Sequence, residues 1–127
     1  MIGCSTEQPQ IVPYVKVQIN VNLSLPEFAP LNAIGNAIIY PYEGYNNNGV
    51  IICRNSIEDY SAYDATCPQH IATKTAIVLD DKGSGGMATC PYCKTTYNLL
   101  NYGSPSKGYP LQRYNLTLSG DFLYIFN

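Results

Sequence analysis

The single histidine of this chain, His70, closes the tetrapeptide Cys67-Pro68-Gln69-His70, and a hairpin's length of chain later stands a second one, Cys90-Pro91-Tyr92-Cys93. Thiolate and imidazole are the ligands that zinc and iron sites favour. A proline after the first cysteine stiffens a tight bend. Two intervening residues then let both side chains of the bend turn toward one ion while backbone N–H groups face the sulfurs. Cys67, His70, Cys90 and Cys93 are therefore the candidate metal or cofactor ligands, a Cys3His set. One isolated Cys-x-x-His says little, but two such bends in one short chain are a fairly specific signal. In an oxidising compartment the same cysteines could pair as disulfides, or stay unliganded thiols, and the residues alone leave these alternatives open.

The elements that must position these bends read as strands divided by turns. Twelve tyrosines, three phenylalanines and no tryptophan, with many Val, Ile and Thr, suit pleated half-buried surfaces better than helices. From Val15 to Leu23 the odd positions are apolar and the even ones polar, the period-two pattern of a strand with one wet face. Ala37 to Tyr42 and Val50 to Arg54 flank an Asn-rich turn and predict a hairpin. Ile57 to Tyr63 leads into the first Cys-Pro bend. Ala76 to Leu79 and Met87 to Cys90 pair across the Asp80 to Gly86 turn, which places both Cys-Pro bends at strand ends. Leu111 to Leu118 and Phe122 to Phe126 flank Ser119-Gly120-Asp121, a source of the positive φ that a tight hairpin turn needs. The class expected is all-β, in one domain over residues 11–127, with no internal repeat and no long helix.

Length and charge bound the function. At 127 residues the chain can bury roughly two-thirds of its unfolded surface, so a metal is not needed merely to fold. Seven basic against nine acidic residues give a net charge of -2, with a sequence pI near 5.1 and no basic run, which speaks against nucleic acid as a partner. No run of about 20 apolar residues offers a membrane span. Met1-Ile2-Gly3-Cys4-Ser5 resembles the end of a bacterial lipoprotein signal, in which the cysteine after a small residue is lipidated. On that reading residues 1–10 are a tether, Cys4 attaches the protein to a membrane, and the domain works in a bacterial cell envelope.

The surroundings of the two bends carry a wider resemblance. Ser61-Ala62-Tyr63-Asp64-Ala65-Thr66-Cys67-Pro68, then Cys90-Pro91-Tyr92-Cys93-Lys94-Thr95-Thr96-Tyr97, then Gly108-Tyr109-Pro110-Leu111 ahead of a strand pair, resemble the Rieske iron–sulfur domain over roughly residues 50–127. The resemblance implies an antiparallel β-sandwich with a small subdomain whose two loops grip a cluster. It also implies a non-catalytic electron carrier served by an unidentified redox protein. The departures are equally informative. A Rieske centre is a [2Fe–2S] cluster with two cysteines on one iron and two histidines on the other. This chain has one histidine. Cys93 stands where the family has its second histidine, and Gln69 takes the first histidine's place, with His70 displaced by one. The cofactor expected from the resemblance is a variant [2Fe–2S] cluster on Cys67, His70, Cys90 and Cys93; the alternatives are a single Zn or Fe ion, or no metal. In a cluster, a thiolate replacing an imidazole adds negative charge and lowers the reduction potential below the Rieske range of about -150 to +300 mV.

Other readings are weaker. Cys-Pro-Tyr-Cys is also the glutaredoxin tetrapeptide, but there the first cysteine opens a helix that lowers its pKa, and here Thr95, Thr96, Tyr97, Gly103 and Pro105 follow. The acidic pairs Glu58-Asp59 and Asp80-Asp81 read as solvated, since consecutive residues face apart. Ser84-Gly85-Gly86 lacks the lysine and helix of a phosphate cradle. Cys53, inside Val50-Ile51-Ile52-Cys53, reads as a small buried hydrophobe. Tyr92 and Tyr97 are candidates to hydrogen-bond a ligand sulfur or simply to pack.

Overall fold

The computed structural model describes residues 11–127; the tether and Cys4 lie outside the described residues. Ten strands are present among the described residues: β1 (Gln18–Asn22), β2 (Ala37–Tyr40), β3 (Val50–Arg54), β4 (Tyr60–Asp64), β5 (Val78–Leu79), β6 (Met87–Thr89), β7 (Thr96–Asn98), β8 (Ser104–Pro105), β9 (Arg113–Ser119) and β10 (Phe122–Phe126). The helical segments among the described residues are short 3-10 turns. No helix there is long and apolar enough to cross a membrane.

Six strands form one antiparallel sheet in the order β1-β10-β9-β4-β3-β2, and four form a second in the order β5-β6-β7-β8. Val17, Ile19 and Val21 of the first strand region, Leu123 and Ile125 of β10, Val50 and Ile52 of β3, and Phe28 and Leu31 of a 3-10 turn share one core. The opposite face of β3 and β4, with Ile51, Cys53 and Tyr63, packs on Ile77, Ala88, Tyr97, Leu99 and Leu111 of the smaller sheet and its flanks. Strand β3 is thus buried on both faces, which is why its sequence is a continuous apolar run rather than an alternation. The expected antiparallel β-sandwich with a small two-loop subdomain is the observed architecture.

Several strand limits differ from the sequence reading. Alternation runs from Val15 to Leu23, but the ladder covers only Gln18–Asn22, because its partner β10 extends no further than Phe126. Val15 and Val17 are tied instead by the Asn127 side chain, which accepts from Val17 N–H at 3.0 Å and donates to the Val15 carbonyl. The stretch from Ile57 does not pair before Tyr60: Asn55 and Ser56 both donate to the Asp59 carbonyl in a tight turn that leaves Ile57 exposed. At the last hairpin Gly120 alone takes positive φ, +60°.

Cys53 is fully buried, and burial pushes its thiol from the ordinary 9.0 to about 11. The folded state therefore keeps a proton that the unfolded chain releases first. Its contribution is complete below pH 9 and is lost as pH rises toward 11. We expect unfolding free energy to drop between pH 8 and 10.5 by on the order of 2 kcal/mol more in the wild type than in Cys53→Ala, measured by urea denaturation at each pH.

Candidate metal centre

Each Cys-Pro bend is closed by backbone hydrogen bonds from its first cysteine. Leaving β4, Thr66 bridges Ala76, and Cys67 N–H donates to Thr75 O at 3.0 Å, so the loop from Cys67 returns on itself. Within it, Ile71–Thr73 makes a 3-10 turn that ends on Lys74 in the left-handed conformation, φ +53°. After β6, Cys90 N–H donates to Thr95 O and Lys94 N–H to Cys90 O, both at 2.9 Å, with Lys94 at φ +65°. The chain then enters β7 at Thr96. No helix follows Cys90, so the dipole that activates a glutaredoxin thiol is missing.

The two loops bring Cys67, His70, Cys90 and Cys93 together with their ligand atoms all within 4.8 Å of one another. Cys67 Sγ lies 3.7 Å from Cys93 Sγ, and Cys90 Sγ lies 3.4 Å from His70 Nε2. Cys53, Cys67, Cys90 and Cys93 are free thiols. Cys67 and Cys90 are fully buried, whereas His70 and Cys93 are half-buried, so the site has a closed side and a side near solvent.

Hydrogen bonding fixes the imidazole. Thr73 Oγ1 lies 2.9 Å from the His70 carbonyl, to which it donates, 2.8 Å from Thr75 Oγ1 and 2.6 Å from His70 Nδ1, where with its proton on the carbonyl it accepts. Nδ1 therefore carries the ring proton and Nε2 presents its lone pair toward the three sulfurs, the tautomer a metal ligand needs. The Tyr92 ring lies against the imidazole, centroids 4.6 Å apart, and restricts its rotation from the solvent side.

Of the two candidate tyrosines, Tyr97 reaches a sulfur. Its hydroxyl lies 3.1 Å from Cys67 Sγ and accepts from Gln69 Nε2 at 3.0 Å, leaving its own proton for the sulfur. Gln69, in the place where the Rieske pattern has a histidine, is a strut. Its amide nitrogen also donates to Tyr109 O at 2.6 Å, and its oxygen accepts from Tyr109 N–H at 3.0 Å. A side chain at Gly108 would sit 2.1 Å from that amide oxygen, so this position must stay bare for the strut to form. The third loop, Gly108 to Leu111, is thereby pinned to the first.

Electrostatics separate the thiols. Burial pushes Cys67 up to about 12, outweighing the hydrogen bond from Tyr97. For Cys93 the desolvation runs the same way but is overcome by the Thr95 hydroxyl, 3.1 Å from Sγ, by the Thr95 N–H, and by His70 and Cys90, which bring it down to about 6. Tyr97 is pushed well above its ordinary value by burial and by Cys67, so it remains a hydrogen donor at all ordinary pH.

Thr73, Thr95 and the Gln69 strut were not foreseen from sequence as parts of the site. Thr73 and Thr95 do lie three and two residues past a ligand, the local spacing of hydroxyl turns, and that is the one signal that could have found them. Replacing Thr73 by Val keeps its shape and removes the acceptor that fixes the histidine tautomer. We expect 10- to 100-fold weaker metal binding in competition titrations against a chromophoric chelator, with unfolding in chelator unchanged within about 1 kcal/mol.

No protein-family model matches the chain, and no curated protein matches it. Solved structures do. A chain of the complex of reduced oxygenase and oxidized ferredoxin in carbazole 1,9a-dioxygenase superposes with a TM-score of 0.51 at 18% identity, over 73% of this chain and 82% of that one. The ferredoxin of carbazole 1,9a-dioxygenase from Nocardioides aromaticivorans IC177 gives 0.50 at 14% identity, over 88% of this chain and 97% of that one. The chain has the Rieske-type ferredoxin fold. At these identities the likeness concerns architecture, and the site must be judged on its own donors. A Rieske-type fold with a single histidine cannot supply the two imidazoles of a standard Rieske centre. Three thiols and an imidazole with its lone pair turned inward do fit a metal.

Proposed function

We propose that this domain is an electron-transfer module of the Rieske-type fold, with an iron centre held by Cys67, His70, Cys90 and Cys93. The observation that carries the reading is the convergence of these four donors at one end of a ferredoxin scaffold, two fully buried and two near the surface. Iron bound there would supply one-electron chemistry. The protein's own part is to hold the donors, to exclude water from the Cys67 and Cys90 side, and to direct the Tyr97 proton at a sulfur, which stabilises the more electron-rich state. The edge at His70 and Tyr92 is where a redox protein would approach, since Tyr92 is 65% exposed. One neighbour in fold comes from a complex of an oxygenase with its ferredoxin, a precedent for a protein partner. Lipidation of Cys4 and residence in a bacterial cell envelope complete the proposal; they rest on the Gly3-Cys4 sequence.

A second reading has its own support. Cys-x-x-His and Cys-x-x-Cys are the bites of closed structural zinc sites, and a zinc ion here would contribute stability without turnover. Anaerobically isolated protein separates the two. Electron transfer predicts bound iron and a visible spectrum that changes reversibly on reduction and reoxidation. Colourless protein containing zinc, unresponsive to reductant, would rule it out.

A further inference from the structure

We infer that the site holds one tetrahedral metal ion, not the two-iron cluster that its fold houses elsewhere. The inference rests on the reading of these four residues as ligands and narrows what they hold.

The argument begins with edge lengths. Four ligands around one ion, with metal–sulfur bonds of about 2.3 Å and metal–nitrogen bonds of about 2.0–2.1 Å, stand about 3.8 Å apart between sulfurs and about 3.6 Å apart between sulfur and nitrogen. The observed 3.7 Å between Cys67 and Cys93 sulfurs and 3.4 Å between Cys90 sulfur and His70 Nε2 match these edges. Both matched edges run between the loops, joining a ligand of the first to one of the second. Neither is a simple consequence of local turn geometry.

The remaining separations decide between one metal and two. A dinuclear core places two irons and two bridging sulfides between two pairs of ligands, so ligands on different irons are spread apart by the metal–metal distance on top of a tetrahedral edge. Here no pair of ligand atoms exceeds 4.8 Å. That leaves space for a central ion and none for a second iron with its sulfides. Opening the site would have to move loops that are fastened on three sides. Cys67 and Cys90 are each closed by their own backbone bond, and Gln69 ties the first loop to Tyr97 and Tyr109.

Loop spacing agrees. A Rieske bend of the Cys-x-His type sends its two ligands to different irons. The extra residue in Cys67-Pro68-Gln69-His70 gives the longer bite that closes on a single ion, and Gln69, freed from ligation, becomes the strut.

The test is metal and acid-labile sulfide analysis of anaerobically purified protein. It is followed by stripping and reloading with Fe(II) alone, with Fe(II) plus sulfide, with Zn(II), and with Co(II) as a geometric probe. We expect one metal per chain, no labile sulfide even when sulfide is offered, and a Co(II) spectrum with the intense ligand-field bands of a tetrahedral thiolate site. Two irons and two sulfides per chain would overturn the single-ion inference and leave the electron-transfer reading standing. One zinc per chain with no retention of iron would support the single ion and overturn electron transfer. No metal retained under any condition would overturn both.

Discussion

Replacing Cys93 by Ala should abolish stoichiometric metal retention. The apparent binding free energy of a four-ligand thiolate and imidazole zinc site is about 10–16 kcal/mol, so one ligand in four carries roughly 3 kcal/mol, or about 100-fold in affinity. Cys93 should lose at least that. Its thiol is brought down to about 6, and its sulfur stands 3.7 Å from Cys67 Sγ across the loops. With the metal weakened, the folded state also loses the stabilisation that binding confers, which grows with the logarithm of free metal over its dissociation constant. The variant should therefore melt lower than wild type in metal-containing buffer, and the gap should close in excess chelator. Elemental analysis after gel filtration reads the first effect and thermal unfolding with and without chelator the second. Cys53→Ala is the control, since that cysteine is buried in the core and not among the four converging side chains. Wild-type metal content in Cys93→Ala would remove Cys93 from the centre and with it the four-ligand reading.

The four converging side chains could be picked out from sequence as candidates because their pattern is local. Two residues fix the bite of each bend, and a proline after each cysteine fixes its stiffness, so Cys67, His70, Cys90 and Cys93 announce themselves without tertiary information. The β3 run and the alternation of β1 are legible for a similar reason: burial on two faces or one imprints itself on consecutive residues. What sequence withholds is long-range. The Gln69 strut joins residues 40 apart. The Tyr97 hydroxyl meets Cys67 across 30. Strands β5, β7 and β8 are two or three residues long, too short for any period to show, and β8 includes Pro105, which is tolerated because β8 is an edge strand. The choice between one metal and two was likewise closed to sequence reading, since it turns on distances between the two loops, 3.7 Å from Cys67 Sγ to Cys93 Sγ and 3.4 Å from Cys90 Sγ to His70 Nε2.

The largest loss of stability should follow removal of a buried carboxylate held by neutral hydrogen-bond donors. Asp64, the last residue of β4, is completely buried, and three donors converge on it. Oδ1 accepts from Thr66 N–H at 2.9 Å, and Oδ2 from Tyr45 N–H at 2.8 Å and from the Tyr114 hydroxyl at 2.6 Å. The burial of Tyr114 and the adjacent negative charge of Asp64 push that phenol well above its ordinary value, so it stays protonated and donating. Gly44 is bare for the same carboxylate, since a side chain there would stand 2.8 Å from Oδ2. Asp64 thereby ties the turn at Tyr45, the approach to Cys67 and strand β9 into one knot beneath the first loop. Asp64→Ala strands all three donors at about 1–3 kcal/mol each, so a loss of about 4 kcal/mol is expected in urea denaturation, a large part of an ordinary domain's 5–15 kcal/mol. Tyr114→Phe removes one donor and leaves the carboxylate two, and should cost only about 1 kcal/mol. In the double variant the two losses should not add, because the tyrosine's contribution passes through the carboxylate. Because Thr66 precedes Cys67, metal affinity should fall in Asp64→Ala and hold in Tyr114→Phe. An Asp64→Ala protein as stable as wild type would mean that the three donors find other acceptors, and that the first loop owes its shape to its own backbone closure and the strut at Gln69.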